Sequence, residues 1–421
     1  MLARWGIDVS LYEMRPAKMT QVHRTGRLAE LVCSNSLRAV STDRGPGLLK
    51  EEMRILGSLV LECADESAVP AGSALAVDRE AFASAVERRI GSSERISVVR
   101  EEVTALPVQG TAILATGPHT SKPVLDELRA LIPFGTLRFY DAVSPIVAAD
   151  SIDRAIVFEA SRYEKGEPGY LNCPFTREEY DLFYDALVLA EPAATREYPA
   201  IPHFEGCLPA EEIARRGRDA LRYGPMKPVG LIDPRTETRP WAVCQLRQEN
   251  LAATMYNMVG FQTGLKWGEQ ERVFRLIPGL KEAEFLRFGV MHQNIFIDAP
   301  RLLDPFMRLL ERPGVLVAGQ LSGVEGYVES ALSGMYCGAN AARMALGLGP
   351  VEFPSDTMAG GLLRHITRAN TPDFQPMNAN FGLLPQPADG PGSKKDKREL
   401  MVERALVAMR AFRAEHGPRE G

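Results

Sequence analysis

None of the six cysteines in this 421-residue chain forms the close pair that a zinc site or a dithiol redox centre needs, but two stand in settings that favour thiol chemistry. Cys207 lies in His203-Phe204-Glu205-Gly206-Cys207-Leu208-Pro209-Ala210-Glu211-Glu212-Ile213, where Pro209 and the two glutamates signal the first turn of a helix. A thiol just before a helix N-terminus is favoured as thiolate by the helix dipole; Arg215, Arg216 and Arg218 add to that effect, while Glu205, Glu211 and Glu212 oppose it. Cys33 lies in Glu30-Leu31-Val32-Cys33-Ser34-Asn35-Ser36-Leu37, an apolar stretch that breaks into small polar residues suited to turns and caps. It reads equally as a packed structural thiol or as a reactive one. Cys63, Cys173, Cys244 and Cys337 have apolar or small neighbours and read as packed, inert thiols.

A second chemistry is suggested by glycines at strand ends. Gly314-Val315-Leu316-Val317-Ala318 reads as a buried parallel strand running into Gly319-Gln320-Leu321-Ser322-Gly323-Val324-Glu325-Gly326, with a helix from about Tyr327. Such a turn gathers backbone N–H groups and a helix dipole at one point, suiting a phosphate or an anionic reduced flavin, though a plain tight turn gives the same pattern. Thr111-Ala112-Ile113-Leu114-Ala115 repeats the theme, an apolar strand entering Thr116-Gly117-Pro118. Near the start, Leu2 to Trp5 reads as a helix end and Ile7 to Tyr12 as a strand closing at Glu13. In a dinucleotide-binding βαβ unit the acid closing the second strand bonds the ribose, and a glycine-rich phosphate turn lies about 20 residues earlier. The sequence given begins in mid-motif, without that turn, which predicts an N-terminally truncated dinucleotide fold.

Basic residues concentrate at Arg215, Arg216, Arg218, Arg222, Lys227, Arg235, Arg239 and Arg247, with Tyr223 and Trp241 interleaved. This stretch is the best candidate surface for RNA, the alternative being an ordinary solvated face. Lys394, Lys395, Lys397 and Arg398 on a charged C-terminal helix form a weaker candidate.

The elements that must position these groups belong to an α/β protein. With 45% apolar and 24% charged residues, the chain suits a globular protein of two domains. Its net charge of -5 excludes a basic field over the whole molecule, so nucleic-acid contact requires local patches. No apolar run approaches the roughly 20 residues of a bilayer span, and six well-separated cysteines fit reduced thiols in the cytoplasm. The patterns predict a Rossmann-like domain from residues 1–119 and 286–385, an inserted α+β domain over 120–285, and a linker with a charged helix over 386–421. Within the helix after Tyr327, Ala331, Gly334, Gly338 and Ala342 predict a smooth face for close packing.

Several strings resemble the bacterial TrmFO family closely: Leu11-Tyr12-Glu13-Met14-Arg15-Pro16, Arg27 to Leu37, Pro70 to Arg79, Gly224-Pro225-Met226-Lys227-Pro228-Val229-Gly230-Leu231, and Gly260-Phe261-Gln262-Thr263-Gly264-Leu265-Lys266-Trp267. The resemblance spans essentially the whole chain. It implies an FAD-binding domain of the glutathione-reductase type and transfer of a methylene from 5,10-methylenetetrahydrofolate to C5 of the T-loop uridine of tRNA, with NADH or NADPH recharging the flavin. By the same resemblance Cys207 attacks C6 of the base and Cys33, beside the flavin, assists. Glu13, Arg15, Ser34, Asn35, Ala115, Thr116, Gly117, Gly319, Gln320, Gly323, Val324, Glu325 and Gly326 become cofactor-binding candidates. Arg215, Arg216, Arg218, Arg222, Lys227, Arg239 and Arg247 become tRNA contacts.

Ala318 to Tyr327 is also similar to the related GidA family, which modifies the wobble uridine; the cysteine motifs favour TrmFO. Other readings are a uridine of ribosomal RNA as target, a generic FAD oxidoreductase, and an RNA-binding remnant without catalysis.

Overall fold

The computed structural model describes residues 1–20, 22–131, 136–142, 144–164, 168–193, 208–289, 291–369, 374–387 and 393–418. Apolar side chains gather in two main cores, one drawing on residues from Leu2 to Leu131 and from Ile295 to Phe412, the other on residues from Val147 to Phe285. The helix Lys122–Leu131 places Val124 and Leu128 in the first core.

In the first core, Val9–Tyr12 pairs in parallel with Ile96–Val99, and Arg312–Val317 pairs in parallel with Ala112–Leu114. Parallel neighbours require a crossover, and the helices Gly45–Ile55, Leu59–Glu66 and Arg79–Gly91 lie between the first two strands. Asp78 caps the last of these, its carboxylate accepting the Glu80 and Ala81 amides at 2.9 Å each. In the helix Tyr327–Ala345, Gly338 faces the start of the chain, where an added Cβ would lie 3.0 Å from Met1, whereas one on Gly334 meets no atom within 4 Å. The C-terminal helix Lys394–His416 buries Met401, Ala405, Met409 and Phe412 in this core, one stripe at helical spacing. Its charges line the remaining surface.

Gly45–Ile55 runs through the middle of the first core, burying Leu48, Leu49 and Met53 but also Lys50 and Glu52. The Lys50 ammonium donates to the carbonyls of Leu37 (2.8 Å) and Ala39 (2.7 Å), and burial pushes its pKa down to about 8. Glu52 accepts the Met358 and Ala359 amides at 2.7 and 2.8 Å, so a buried carboxylate satisfies the start of the helix Met358–Arg368.

Two long strands, Thr136–Ala142 and Met291–Ile297, run antiparallel from Thr136↔Ile297 to Ala142↔Met291 and carry the chain out of the first core and back. Between them lies a six-stranded sheet ordered Phe285–Arg287, Ile146–Ala148, Met255–Met258, Ala242–Gln248, Tyr170–Phe175, Phe158–Glu159, its pairs all antiparallel. The helix Arg177–Val188 packs Tyr180, Phe183 and Leu187 into the second core; its entry is fixed by a capping box in which Thr176 and Glu179 exchange side-chain-to-backbone bonds. Cys173 and Cys244 face each other across two strands of this sheet; burial, followed by the Cys173 contact, pushes the Cys244 thiol well up. Cys63 and Cys337 are buried as well.

Glu52→Ala leaves two buried amides without an acceptor and is expected to cost about 2–4 kcal/mol, read as a lower urea midpoint; Glu52→Gln, which retains a carbonyl oxygen, costs less. A Glu52→Ala midpoint equal to that of the parent contradicts this account of the helix start.

Candidate active site

The register Val315↔Ala112, Leu316↔Ile113, Val317↔Leu114 ends two parallel strands at one edge, and the Ala318 amide continues the ladder to the Leu114 carbonyl at 3.0 Å. The two predicted glycine turns therefore emerge side by side, where open α/β sheets hold ligands. Gly117 and Gly319 adopt left-handed φ of +66° and +72°, and a Cβ added to either meets no atom within 4 Å. Their backbone faces open space. Ala115 and Thr116 are exposed, and Gln320 is half-buried. The Ser333 hydroxyl fixes the Gly319 amide at 2.8 Å, and the Gly323 amide closes the turn on the Gln320 carbonyl at 2.9 Å.

Farther along, the same loop turns inward. Gly323, at φ +88°, lies against Phe374, whose ring would be 2.5 Å from an added Cβ. Val324 is fully buried. Glu325 accepts from Arg38 and from Asn378, both at 2.9 Å. Gly326, at φ +115°, caps the helix that begins at Tyr327. The side chains of Val324 and Glu325 are thus engaged within the protein. Glu13 grips Arg15 in the same inward manner, with both carboxylate oxygens 3.0 Å from the guanidinium. Burial pushes the Glu13 carboxyl up, but the Arg15 bonds and charge hold it below its ordinary value. Arg15, itself 5% exposed, also reaches Glu30 at 3.1 Å.

Cys33 is half-buried on a strip held from the opposite side by arginines. Arg79 donates to the carbonyls of Leu31 and Cys33, the latter at 3.1 Å, and pairs with the buried Glu249 at 2.6 Å. Burial works against the Arg79 charge, but the Glu249 carboxylate more than offsets it. Arg287 donates to the Val32 carbonyl at 2.7 Å; burial, then the charges of Arg79 and Arg24, push its pKa down to about 10. Arg247 reaches Asn35 Oδ1 at 2.8 Å and Ser34 Oγ at 2.7 Å. The Asn35 amide nitrogen donates to the carbonyls of Val77 (3.1 Å) and Gln248 (2.8 Å). On the first-core side, the Cys33 amide donates to the Tyr327 hydroxyl at 2.9 Å, tying the strip to the first residue of the helix after Gly326.

Arg247 was expected on an RNA surface, but it is 5% exposed and its guanidinium is a clamp on Ser34 and Asn35. Asn35, fully buried, has its side chain engaged by protein groups. Arg79, Glu249, Arg287 and Tyr327 were not singled out in the sequence as site residues, although Arg79 and Tyr327 each close one of the strings quoted above.

Cys207 lies outside the described residues, as do Glu205 and Gly206. The chain just after it is well placed: the Ala210 amide bonds the Gln262 carbonyl at 2.7 Å, and the buried Glu211 carboxylate accepts from Thr263 Oγ1 (2.9 Å) and the Gly264 amide (2.6 Å). Burial pushes Glu211 up. The remaining basic residues divide by partner. Arg215 pairs with Glu212. Arg218 meets Asp181 (2.8 Å) and Asp185 (2.5 Å), and Arg222 meets Asp219 (2.8 Å). Arg216, Lys227 and Arg239 are exposed.

The open backbone at Gly117 and Gly319, the exposed Ala115 and Thr116, and the Cys33 strip joined to the helix start at Tyr327 fit the ring and ribose side of FAD. No glycine-rich strand-to-helix turn stands beside Glu13 among the described residues, so the groups that would meet the pyrophosphate are not among these.

A family model described as Glucose inhibited division protein A matches residues 1–349. The chain is 56% identical over 417 residues to the methylenetetrahydrofolate–tRNA-(uracil-5-)-methyltransferase TrmFO of Desulforudis audaxviator, covering 99% of this chain and 95% of that protein. It is 57% identical over 419 residues to the protein of the same name from Symbiobacterium thermophilum, covering 98% and 94%. Two crystal forms of Aquifex aeolicus GidA match over 100% of this chain and 71% and 73% of theirs, with TM-scores of 0.69 and 0.71 at 15% and 16% identity, which shows a shared α/β fold. The chain belongs to the Glucose inhibited division protein A family and, within it, to the TrmFO group.

Proposed function

We propose that the chain methylates C5 of the T-loop uridine of tRNA, taking the methylene from 5,10-methylenetetrahydrofolate and reducing equivalents from FAD recharged by NADH or NADPH. The observation that carries this reading is the Cys33–Tyr327 hydrogen bond, which sets a half-buried cysteine against the helix that follows the open glycine turn, in a chain 56% identical to a relative named for that reaction. FAD, when bound, supplies hydride chemistry. Gly117, Gly319 and Gln320 would present backbone to it; Ala115, Thr116, Glu13 and Ser34 would border it; Gly323 and Gly326 would shape the turn.

The protein's own groups then divide the work. Uracil C5 is a weak nucleophile until a thiolate adds at C6, and Cys207 is the residue proposed to add. Cys33 moves a proton or assists the methylene transfer, held in place by Arg79, Arg287 and Tyr327. Arg216, Lys227 and Arg239 meet the RNA, with Arg215, Arg218 and Arg222 contributing to the same face. In this reading the FAD-binding domain is the part around the first core, 1–119 with 286–385, and the helices Lys122–Leu131 and Lys394–His416 share that core. Residues 120–285 form the inserted domain, whose helix Lys122–Leu131 packs on that core. No helix among the described residues is long and apolar enough to cross a membrane.

The test is ribothymidine formation from unmodified tRNA, methylenetetrahydrofolate and NADPH by the FAD-loaded protein. Cys207→Ala and Cys33→Ala are each expected to lower the rate at least about 100-fold; full activity in either contradicts the role given to that residue. Arg247→Ala is expected to lower stability by about 2–3 kcal/mol in urea unfolding, because it strands the Asn35 side-chain oxygen. An unchanged midpoint together with weakened tRNA binding would return Arg247 to an RNA-facing role.

A further inference from the structure

The basic stretch between Arg215 and Arg247 is not one uniform surface. Most of its charge is already matched: Arg215, Arg218 and Arg222 pair with Glu212, Asp181, Asp185 and Asp219, and Arg247 is buried. Lys227 and Arg239 differ, because among the described residues neither makes an ion pair. Both line one cavity of about 500 Å³, together with Tyr223, Pro228, Pro240 and Trp241.

The walls of this cavity are fixed. The Val243 amide bonds the Met226 carbonyl at 3.0 Å, which holds the loop carrying Lys227 against the strand Ala242–Gln248. The Trp241 amide bonds the Phe175 carbonyl at 2.9 Å. Arg222 lies 3.6 Å from the centre of the Trp241 ring and donates to the Trp241 carbonyl at 3.0 Å, so its charge is held at the indole. Tyr223 leaves 79% of its surface exposed at the mouth of this cavity, and two cations with no ion pair among the described residues favour an anion with several acceptor oxygens.

We propose that this cavity binds one nucleotide of the RNA substrate, with a backbone phosphate between Lys227 and Arg239 and its base against Tyr223. The proposal rests on the reading of the protein as an RNA-modifying enzyme and deepens it. The cavity is not the reaction centre: Trp241, just before the strand Ala242–Gln248, and Arg247 on it lie six positions apart, about 20 Å at the usual rise, and it is Arg247 that touches Ser34 beside Cys33. A nucleotide held at Trp241 is therefore one that anchors the RNA while another base reaches the cysteines. A nicotinamide dinucleotide carries the same nucleoside-phosphate chemistry, and the experiment separates the two.

Binding of unmodified tRNA to the FAD-loaded protein is measured over a range of salt concentrations for the parent, Lys227→Gln, Arg239→Gln, Tyr223→Ala and Tyr223→Phe, with circular dichroism to confirm folding. Each charge removal is expected to weaken binding roughly tenfold at low salt and to reduce the slope of log K against log salt by about one. Tyr223→Ala is expected to weaken binding roughly tenfold, and Tyr223→Phe, which keeps the stacking face, to restore it. Folded Lys227→Gln and Arg239→Gln proteins that bind tRNA with the affinity and salt slope of the parent overturn the proposal. So does a higher KM for NADPH in flavin reduction without tRNA, if tRNA binding is intact, since that assigns the cavity to the dinucleotide. A parent protein that binds tRNA through these residues yet forms no ribothymidine defeats the methyltransferase reading and leaves the cavity assignment standing.

Discussion

Arg247 leaves the strand Ala242–Gln248 of the second core and ends with its guanidinium on Ser34 and Asn35 of the first, and much of the site depends on that crossing. The segment from Leu31 to Asn35 has little regular structure of its own; its carbonyls and side chains are taken up instead by Arg79, Arg247 and Arg287. Placing three guanidinium groups so close together, one buried and two half-buried, is unfavourable without acceptors, and backbone carbonyls, a hydroxyl, an amide oxygen and the carboxylate of Glu249 accept from them. The outcome is a cysteine on a strip with few conformations left, in surroundings richer in positive than in negative charge. Such surroundings favour developing negative charge on a thiol or on a substrate oxygen.

The second constraint is the parallel pairing of Arg312–Val317 with Ala112–Leu114. Two strands that end at the same edge must release their following loops together, so a local rule of sheet geometry sets Gly117 beside Gly319. The helix starting at Tyr327 then joins this edge to the cysteine strip through one hydroxyl. The glycine edge and the backbone of Cys33 are thereby coupled by short, directional contacts.

The parts of this arrangement legible in the sequence are those that depend on neighbours along the chain. An apolar run followed by glycines marked a strand over 314–318, which the structure places at Arg312–Val317, then the turn at 319–326 and the helix from Tyr327, because φ > 0 and a helix start both leave local residue signatures. The C-terminal helix was legible for the same reason. What stayed hidden depends on partners far away in sequence. Arg247 and Asn35 are separated by 212 positions, and no periodicity reveals that a basic residue near a strand end points into a junction between cores. The density of arginines from 215 to 247 likewise suggested one surface, because the acids that neutralise Arg218 sit at 181 and 185 on another helix. The Cys207 segment is legible through its motif and through Glu211, whose carboxylate ties the following helix to Thr263 and Gly264.

Native-state hydrogen exchange at the Cys33 amide tests most directly whether the arginine-held strip is a rigid junction between the two cores. The amide donates to Tyr327 on a segment anchored from both sides, so it should exchange only through openings nearly as costly as unfolding of the Arg312–Val317 strand. Exchange at the rate of an unstructured peptide would mean that the strip opens on its own, and the account of how Cys33 is positioned would fail.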